Sequence, residues 1–303
     1  MSRAATEVTD DRVRAVLAAG RPDIGALWEI CVYREWDRAE VVDGVAEWLG
    51  PPEGLRVLDC ACGSGFPALD LIRRGYDVTC SDGSALMLEH FRENARGAGL
   101  AVEPLQLLWE ALFDHFAGAF DVVMCRGGGS LVYAGTWDED LPPDRGAVTT
   151  AVRNFYDCLR PGGRLYVDTT RAEDLARAEP QRARHPTIVV DGHTVELEEE
   201  VTNYPDRGMR VWRSRLRVDG TTHEFARRSH YFSHDEFTGL LTAAGFVDVQ
   251  PEPVRGETYA VFVGRRPKSR PSLSRVFSDA MIAPTANRPA TPQPHQGSSG
   301  LIE

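Results

Sequence analysis

The chain has 303 residues, 42% of them hydrophobic, which is ample for one large packed α/β core or two smaller ones. A formal net charge of −11 argues against nucleic acid as a partner, because phosphate recognition needs a basic surface, and favours a small-molecule ligand. No apolar run reaches membrane-spanning length, the start from Met1 to Asp11 lacks an apolar leader, and Lys268, the lone lysine, excludes a Schiff base in the body of the fold.

Helical periodicity runs from Arg12 to Trp48 through Val13, Val16 and Leu17, then Ile24, Leu27, Trp28 and Cys31, then Val41, Val42 and Val45. It predicts an N-terminal helical cap over 1–52, punctuated by Gly20-Arg21-Pro22 and closed by Gly50-Pro51-Pro52. From Arg56 the pattern alternates: strand 56–60, helix 66–74, strand 76–81, helix 84–97, strand 102–107, helix 110–117, strand 120–125, helix 146–160, strand 163–168. Such alternation predicts a doubly wound, mostly parallel α/β sheet with right-handed crossovers. Leu159-Arg160-Pro161-Gly162-Gly163 stops a helix and feeds the fifth strand.

Helix 234–245, an apolar segment at 246–250 and a strand at 258–264 complete a seven-stranded core spanning 53–186 and 233–264. Between these parts, Asp191-Gly192, Pro205-Asp206-Arg207-Gly208 and Asp219-Gly220 separate runs of strand character, predicting an inserted antiparallel β meander over 187–232 that serves as a lid or substrate wall. The tail, 265–303, rich in Pro, Ser, Thr and Gln, reads as disordered. Cys31, Cys60, Cys62, Cys80, Cys125 and Cys158 sit mostly in apolar stretches without a C-x-x-C pair, which suggests reduced thiols in a cytoplasmic protein and no metal site.

Chemistry is most visible at Arg56 to Gly65, R-V-L-D-C-A-C-G-S-G, a strand ending in an acid and running into a glycine-rich turn. Backbone N–H groups and a helix N-terminus meet a polar ligand there, Asp59 can face a cationic group, and Gly63 and Gly65 permit close backbone approach. The stretch from Gly63 to Ala68 also satisfies G-x-G-x-x-A, with Asp82 following Gly63 by 19 residues. The turn alone therefore leaves open a nicotinamide-dependent dehydrogenase, an S-adenosylmethionine enzyme and a non-catalytic binding module.

Four landmarks in order, D-C-A-C-G-S-G at 59–65, S-D-G-S at 81–84, F-D-V-V-M-C at 120–125 and L-R-P-G-G-R-L at 159–165, resemble the successive motifs of class I S-adenosylmethionine-dependent methyltransferases. The resemblance implies a Rossmann-like fold, S-adenosylmethionine as cofactor and methyl transfer to a small molecule. It implies that Asp59 and the backbone from Ala61 to Gly65 hold the methionine end, and that Asp82, followed by Gly83, takes the ribose hydroxyls. Leu86 and Met87 would flank the adenine, Glu110 and Ala111 would reach its edge, and Cys125 and Arg126 would lie beneath the sulfonium. Further stretches, L-W-E-I-C-V-Y at 27–33, M-C-R-G-G-G-S at 124–130, V-D-T-T-R at 167–171 and R-R-S-H-Y-F-S-H at 227–234, resemble the glycine and sarcosine N-methyltransferase group and nominate Trp28, Tyr33 and Arg38 as cofactor contacts.

Departures from that group bear on the acceptor: Gly128 replaces an asparagine, and the arginine expected to grip a carboxylate comes one position late, as Arg171. N-methylation of an amine or amino acid is the leading reading, with O-methylation, or a non-methylating alkylation or cyclisation, as alternatives. Tyr133, Trp137, Arg171, His230 and Tyr231 are the candidates beside the transfer point; Tyr231 and Arg171 are expected to orient the acceptor, and His230 reads first as a structural histidine and second as a base. Arg213, Arg215 and Arg217 alternate along one strand face as Glu196, Glu198 and Glu200 do along another, which suggests cross-strand charge pairing over a phosphate or carboxylate clamp. The state of association is left open, a homo-oligomer included.

Overall fold

Acidic and hydroxyl residues start most of the helices, because their side-chain oxygens satisfy the orphan N–H groups of a first turn. In the computed structural model, which describes residues 5–20, 22–136 and 144–268, Asp10, Asp23, Asp37, Ser84, Asp144 and Ser233 cap the helices that follow them. In chain order the elements are β1 (Thr6–Glu7), α1 (Asp11–Ala18), α2 (Ile24–Glu35), α3 (Arg38–Leu49), β2 (Arg56–Asp59), α4 (Ala68–Arg73), β3 (Asp77–Asp82), α5 (Ala85–Gly97) and β4 (Leu105–Gln106). There follow α6 (Leu112–Phe116), β5 (Phe120–Cys125), α7 (Arg145–Cys158), β6 (Leu159–Thr169), α8 (Ala172–Leu175), β7 (Gln181–Arg184), β8 (Ile188–Val190) and β9 (His193–Tyr204). The series ends with β10 (Met209–Val218), β11 (Thr221–His230), α9 (His234–Ala243), β12 (Val247–Pro251) and β13 (Ala260–Arg265).

Seven strands form one sheet in the order β12-β13-β6-β5-β2-β3-β4. Only β13 runs against its neighbours, so this is the expected Rossmann-like α/β sheet. The winding reverses between β2 and β5, which leaves a crevice outside their carboxyl ends, where such sheets bind ligands. Apolar side chains from α3, α4 and α5 cover one face around Val57, Leu69 and Phe91, and α7 and α9 cover the other around Phe155, Phe237 and Phe262.

The second sheet has the order β1-β8-β9-β10-β11, with β7 also paired to β9. Its meander occupies the predicted insertion, and positive φ at Asp191 (49°), Gly192 (86°), Asp219 (47°) and Gly220 (83°) shows why those dipeptides mark tight hairpins. Arg213, Arg215 and Arg217 stand opposite Glu200, Glu198 and Glu196, with ion-pair distances of 3.9, 3.7 and 3.1 Å, on the charge-paired side of the expectation. Val190, Val195, Leu197 and Leu216 face the other way, onto α1 and α2, and close a third apolar core.

Several boundaries differ from the periodicity. The N-terminal segment is not wholly helical: Thr6–Glu7 runs parallel to β8, and β7 precedes the expected start of the insertion at 187; neither short polar strand carries an alternating pattern. The third strand of the alternation shrinks from 102–107 to Leu105–Gln106 at the exposed sheet edge. Helix α7 ends at Cys158, and β6 then passes Pro161 and Gly162 through an irregularity in register with β5. The tail begins later than 265: Arg265 ends β13, and Arg266 donates to the carbonyls of Tyr156 (3.0 Å) and Leu159 (2.6 Å), sealing the end of α7. The remainder of the expected tail, 269–303, lies outside the described residues, as does Trp137.

Candidate functional site

Beyond the ends of β2, β3 and β5 lies a cavity of about 880 Å³, bounded by the glycine turn, α2, the run from Gly127 to Tyr133, and the inner face of β9–β11. The turn is ordered by the acids that flank it. Asp59 Oδ1 accepts from the N–H of Ala61 (3.2 Å), while Asp82 accepts from Gly63 through Oδ2 (3.0 Å) and from Ser84 through Oδ1 (2.8 Å). Asp82 thus joins the end of β3 to the turn after β2 and stands on the cavity wall. Burial pushes the Asp59 carboxyl up to about 7, the Ala61 N–H and the Arg126 guanidinium opposing this; burial likewise raises Asp82, against the N–H groups of Ser84 and Gly63. Asp59 is therefore accessible in neutral as well as ionised form near neutral pH, and an incoming cation would favour the ionised form.

Glycine is required in the turn. Gly63 has φ 49°, and a Cβ there would stand 3.2 Å from Met87 Cε and 3.9 Å from Trp28 Nε1, filling the space between them. Met87, Gly83, Leu108 and Glu110 line the same end, with Trp109 held by its indole N–H on the carbonyl of Cys60 (2.6 Å).

The next wall is the run Gly127-Gly128-Gly129, at φ 136°, 70° and 78°. Asp168, fully buried at the end of β6, accepts all three N–H groups: Gly127 (3.0 Å) and Gly128 (2.8 Å) on Oδ2, Gly129 (3.0 Å) on Oδ1. Burial and nearby Glu257 push its carboxyl up to about 6, with Arg126 and the loop N–H groups acting against them. Arg126 itself turns away from the cavity centre into a buried two-point pair with Glu257 (2.6 and 3.0 Å), beneath the rings of Trp36 and Phe66. Tyr166 also donates to Glu257 (2.6 Å).

The far wall combines aromatic rings and charge. Trp28, Trp212, Phe225 and Tyr259 line it together with Glu35, Glu199, Arg210 and Arg227. Arg210 donates to Thr170 Oγ1 (2.9 Å), while its buried Nε lacks a partner among the described residues. Arg227 lies over the Tyr133 ring, 4.3 Å from its centre.

Of the residues singled out in sequence, Trp28, Ala61, Gly63, Asp82, Gly83, Met87, Glu110, Arg126 and Tyr133 come together on this cavity. Asp59, Gly65, Ala111 and Cys125 lie behind its wall; Gly65 packs so closely on Leu69 that a Cβ would approach to 2.5 Å. Tyr33 joins the packing under the second sheet, and Arg38 pairs with buried Glu29 (2.6 Å) and Asp10 (3.4 Å), so neither reaches the cavity.

Of the five acceptor-side candidates, Trp137 lies outside the described residues and Tyr133 lines the cavity; Arg171 and Tyr231, expected to orient the acceptor, lie off its wall, and His230 takes the structural place read first for it. Arg171 is exposed at the start of α8 and pairs with Glu173 (3.3 Å) and Asp174 (3.2 Å). Tyr231 donates its hydroxyl to the carbonyl of Leu175 (3.2 Å), and Arg145 bonds its carbonyl in turn (2.7 Å). His230 is buried with Nε2 2.8 Å from the carbonyl oxygen of Ala134, and burial lowers its basicity. His230 and Tyr231 thereby tie the end of β11 to neighbouring segments of the core, whereas the Arg171 pairs stay local to α8. Missed in sequence were Glu35, Glu199, Arg210, Trp212 and Tyr259, which reach the cavity from four separate segments, and Asp168, buried behind the glycine run; only Asp168, an acid ending an apolar strand, carried a local signal.

Residues 57–163 match a family model described as a methyltransferase domain. Over 206 residues the chain is 31% identical to a glycine/sarcosine N-methyltransferase of Aphanothece halophytica, covering 67% of this chain and 71% of that one. A ubiquinone biosynthesis O-methyltransferase of Erwinia tasmaniensis is 29% identical over 128 residues, 42% of this chain and about half (47%) of that one. Among solved structures, Streptomyces venezuelae DesVI superposes with a TM-score of 0.63 at 20% identity, over 80% of this chain and 98% of that one, a likeness of fold.

Proposed function

Because this chain belongs to the class I S-adenosylmethionine-dependent methyltransferases, we propose that it methylates the nitrogen of a small amine or amino acid bound against the second sheet. S-adenosylmethionine is the cosubstrate of the family, and supplies an electrophilic methyl group on a sulfonium. The cavity's donor set fits it: paired acids at the ends of β2 and β3, a turn whose open side a Cβ would fill, and the Met87 thioether beside it. In this reading Asp82 holds the ribose hydroxyls, and the turn ordered by Asp59 holds the methionine end. Met87 and Glu110 frame the adenine, while Leu86, expected beside Met87, does not line the cavity.

Acceptor chemistry rests on the far wall. Carboxylates among indole and phenol rings suit a cationic or freshly neutralised amine, and orientation in such a pocket supplies about 7–11 kcal/mol in favourable cases. Arg210, in place of Arg171, is positioned for an anionic substituent of the acceptor. His230, the base an oxygen acceptor would call for, is committed to a backbone carbonyl. The run Gly127-Gly128-Gly129 has its own explanation in the Asp168 clamp.

The test incubates the full chain with methyl-labelled S-adenosylmethionine and a panel: glycine, sarcosine, larger amino acids, arylalkylamines and the hydroxy acids of matching skeleton. S-adenosylhomocysteine with an N-methyl product is expected. Methylation of the hydroxy acids alone, or release of methylthioadenosine, would overturn the nitrogen reading. Asp82→Ala should weaken S-adenosylmethionine binding about 10–100-fold in calorimetry, the loss of charge-assisted hydrogen bonds.

A further inference from the structure

Four residues of α2, Ile24, Trp28, Cys31 and Glu35, recur at helical spacing and all line the cavity. The stripe ends in a carboxylate on the last residue of the helix, where the negative end of the helix dipole disfavours an anion. Glu199, from the middle of β9, faces it: ligand atoms of Cys31, Glu35 and Glu199 all lie within 4.8 Å of one another. Two carboxyl groups so close, under a wall of aromatic rings, are an arrangement that folding alone disfavours.

The two acids differ in their partners. Glu199 Oε1 accepts from Trp212 Nε1 (2.8 Å) and, weakly, from Cys31 Sγ (3.9 Å), and its Oε2 meets His185 Nε2 at 2.6 Å. Among the described residues Glu35 has no such donor. Nearby charges do not neutralise it: Arg34, on the same helix, sends Nη1 to the carbonyl of Pro186 (2.7 Å), and the Tyr259 hydroxyl lies within the influence of both Glu35 and Arg210. Glu35 is therefore an acid on the cavity wall whose natural counterpart is a group the protein does not itself supply.

The geometry points to Glu35 as the residue that receives the acceptor's amino group and takes its proton, with Glu199 as a positioning residue behind it; this inference rests on the nitrogen reading above. A proton passes from the acceptor ammonium to a Glu35 oxygen, and the lone pair so freed forms the new bond to the methyl carbon. The C–S electron pair goes to sulfur, which becomes a neutral thioether. The methylated nitrogen carries the positive charge and leaves as an ammonium or sheds its extra proton to water, and Glu35 returns its proton to solvent. Burial, and then the Glu199 carboxylate, push the Glu35 carboxyl up to about 8. That value narrows the gap to an alkylammonium group, which holds its proton at ~10.4 in a lysine side chain, and makes the transfer far less uphill than to an ordinary carboxylate. A metal ion held by Cys31, Glu35 and Glu199 is the rival occupant, but it would have to displace the donors already on Glu199.

The test uses the full chain with two methylated amines from the panel that differ in basicity. Glu35→Gln should lower kcat/KM by about 100-fold or more, the usual contribution of a positioned base, with S-adenosylmethionine affinity changed less than about threefold. Glu35→Asp should recover part of that loss. In the wild type kcat/KM should rise with pH through a limb near 8 that stays put for both amines and vanishes in Glu35→Gln. Glu199→Gln removes a like charge and should move that limb to lower pH. Glu35→Gln within about threefold of wild type, a limb that tracks each amine's own basicity, an upward or absent shift in Glu199→Gln, or activity abolished by a chelator and restored by zinc would each overturn the inference. A panel yielding no N-methyl product overturns the nitrogen reading instead, and infrared titration of the Glu35 carboxyl, wild type against Glu35→Gln, still decides whether that acid titrates near 8.

Discussion

Three consecutive backbone N–H groups converge on the single buried carboxylate of Asp168, an acceptor that an amide cannot replace, since one of its two heads is a donor. Asp168→Asn should therefore leave at least one loop N–H unpaired and cost about 1–3 kcal/mol in denaturant unfolding, with a larger loss in kcat/KM as the loop relaxes. The raised acids also set a pH dependence. Asp168 (about 6), Asp59 (about 7) and Glu35 (about 8) keep protons in the folded state that the unfolded chain gives up nearer 4. Their contribution to stability is complete below about pH 4 and is lost as pH rises through 6 to 8. The melting temperature should fall across that window, and Asp59→Asn should flatten the fall; an unchanged slope in thermal unfolding would contradict the burial argument.

What could be read from local sequence is what local backbone determines. Strand β5 falls on the predicted 120–125 residue for residue because a run of five apolar residues around Asp121 is bounded by turn signals, and Gly63 and Asp82 reach the cavity because a strand–turn–helix carries its own geometry. Arg171 lies off the cavity for the complementary reason: the arginine that lines it, Arg210, comes from β10, and no spacing rule links positions that far apart. Elements also separate surface charge from conformational need. Arg215→Ala, which breaks half-exposed pairs to Glu198 (3.7 Å) and Glu224 (3.0 Å), should cost less than about 1 kcal/mol and leave activity intact. Gly128→Ala, at φ 70° with a Cβ 3.3 Å from the Tyr259 ring, should cost about 1–2 kcal/mol and impair turnover; equal effects of the two substitutions would refute this ranking.

At the scale of the whole molecule, the cavity has no single owner. Its lining begins at Ile24, passes through the first turn of the sheet and the inner face of the meander, and ends at Tyr259. The buried Arg126–Glu257 pair ties the end of β5 to the approach of the last strand, so the middle of that lining and its C-terminal end share one anchor. A polypeptide emerging stepwise from its N-terminus can wind the early strands well before the final one arrives. It gains a complete reaction chamber only when residues near 260 dock beside β6, so proteolytic fragments or early-terminated chains that still fold their first half should be silent in catalysis.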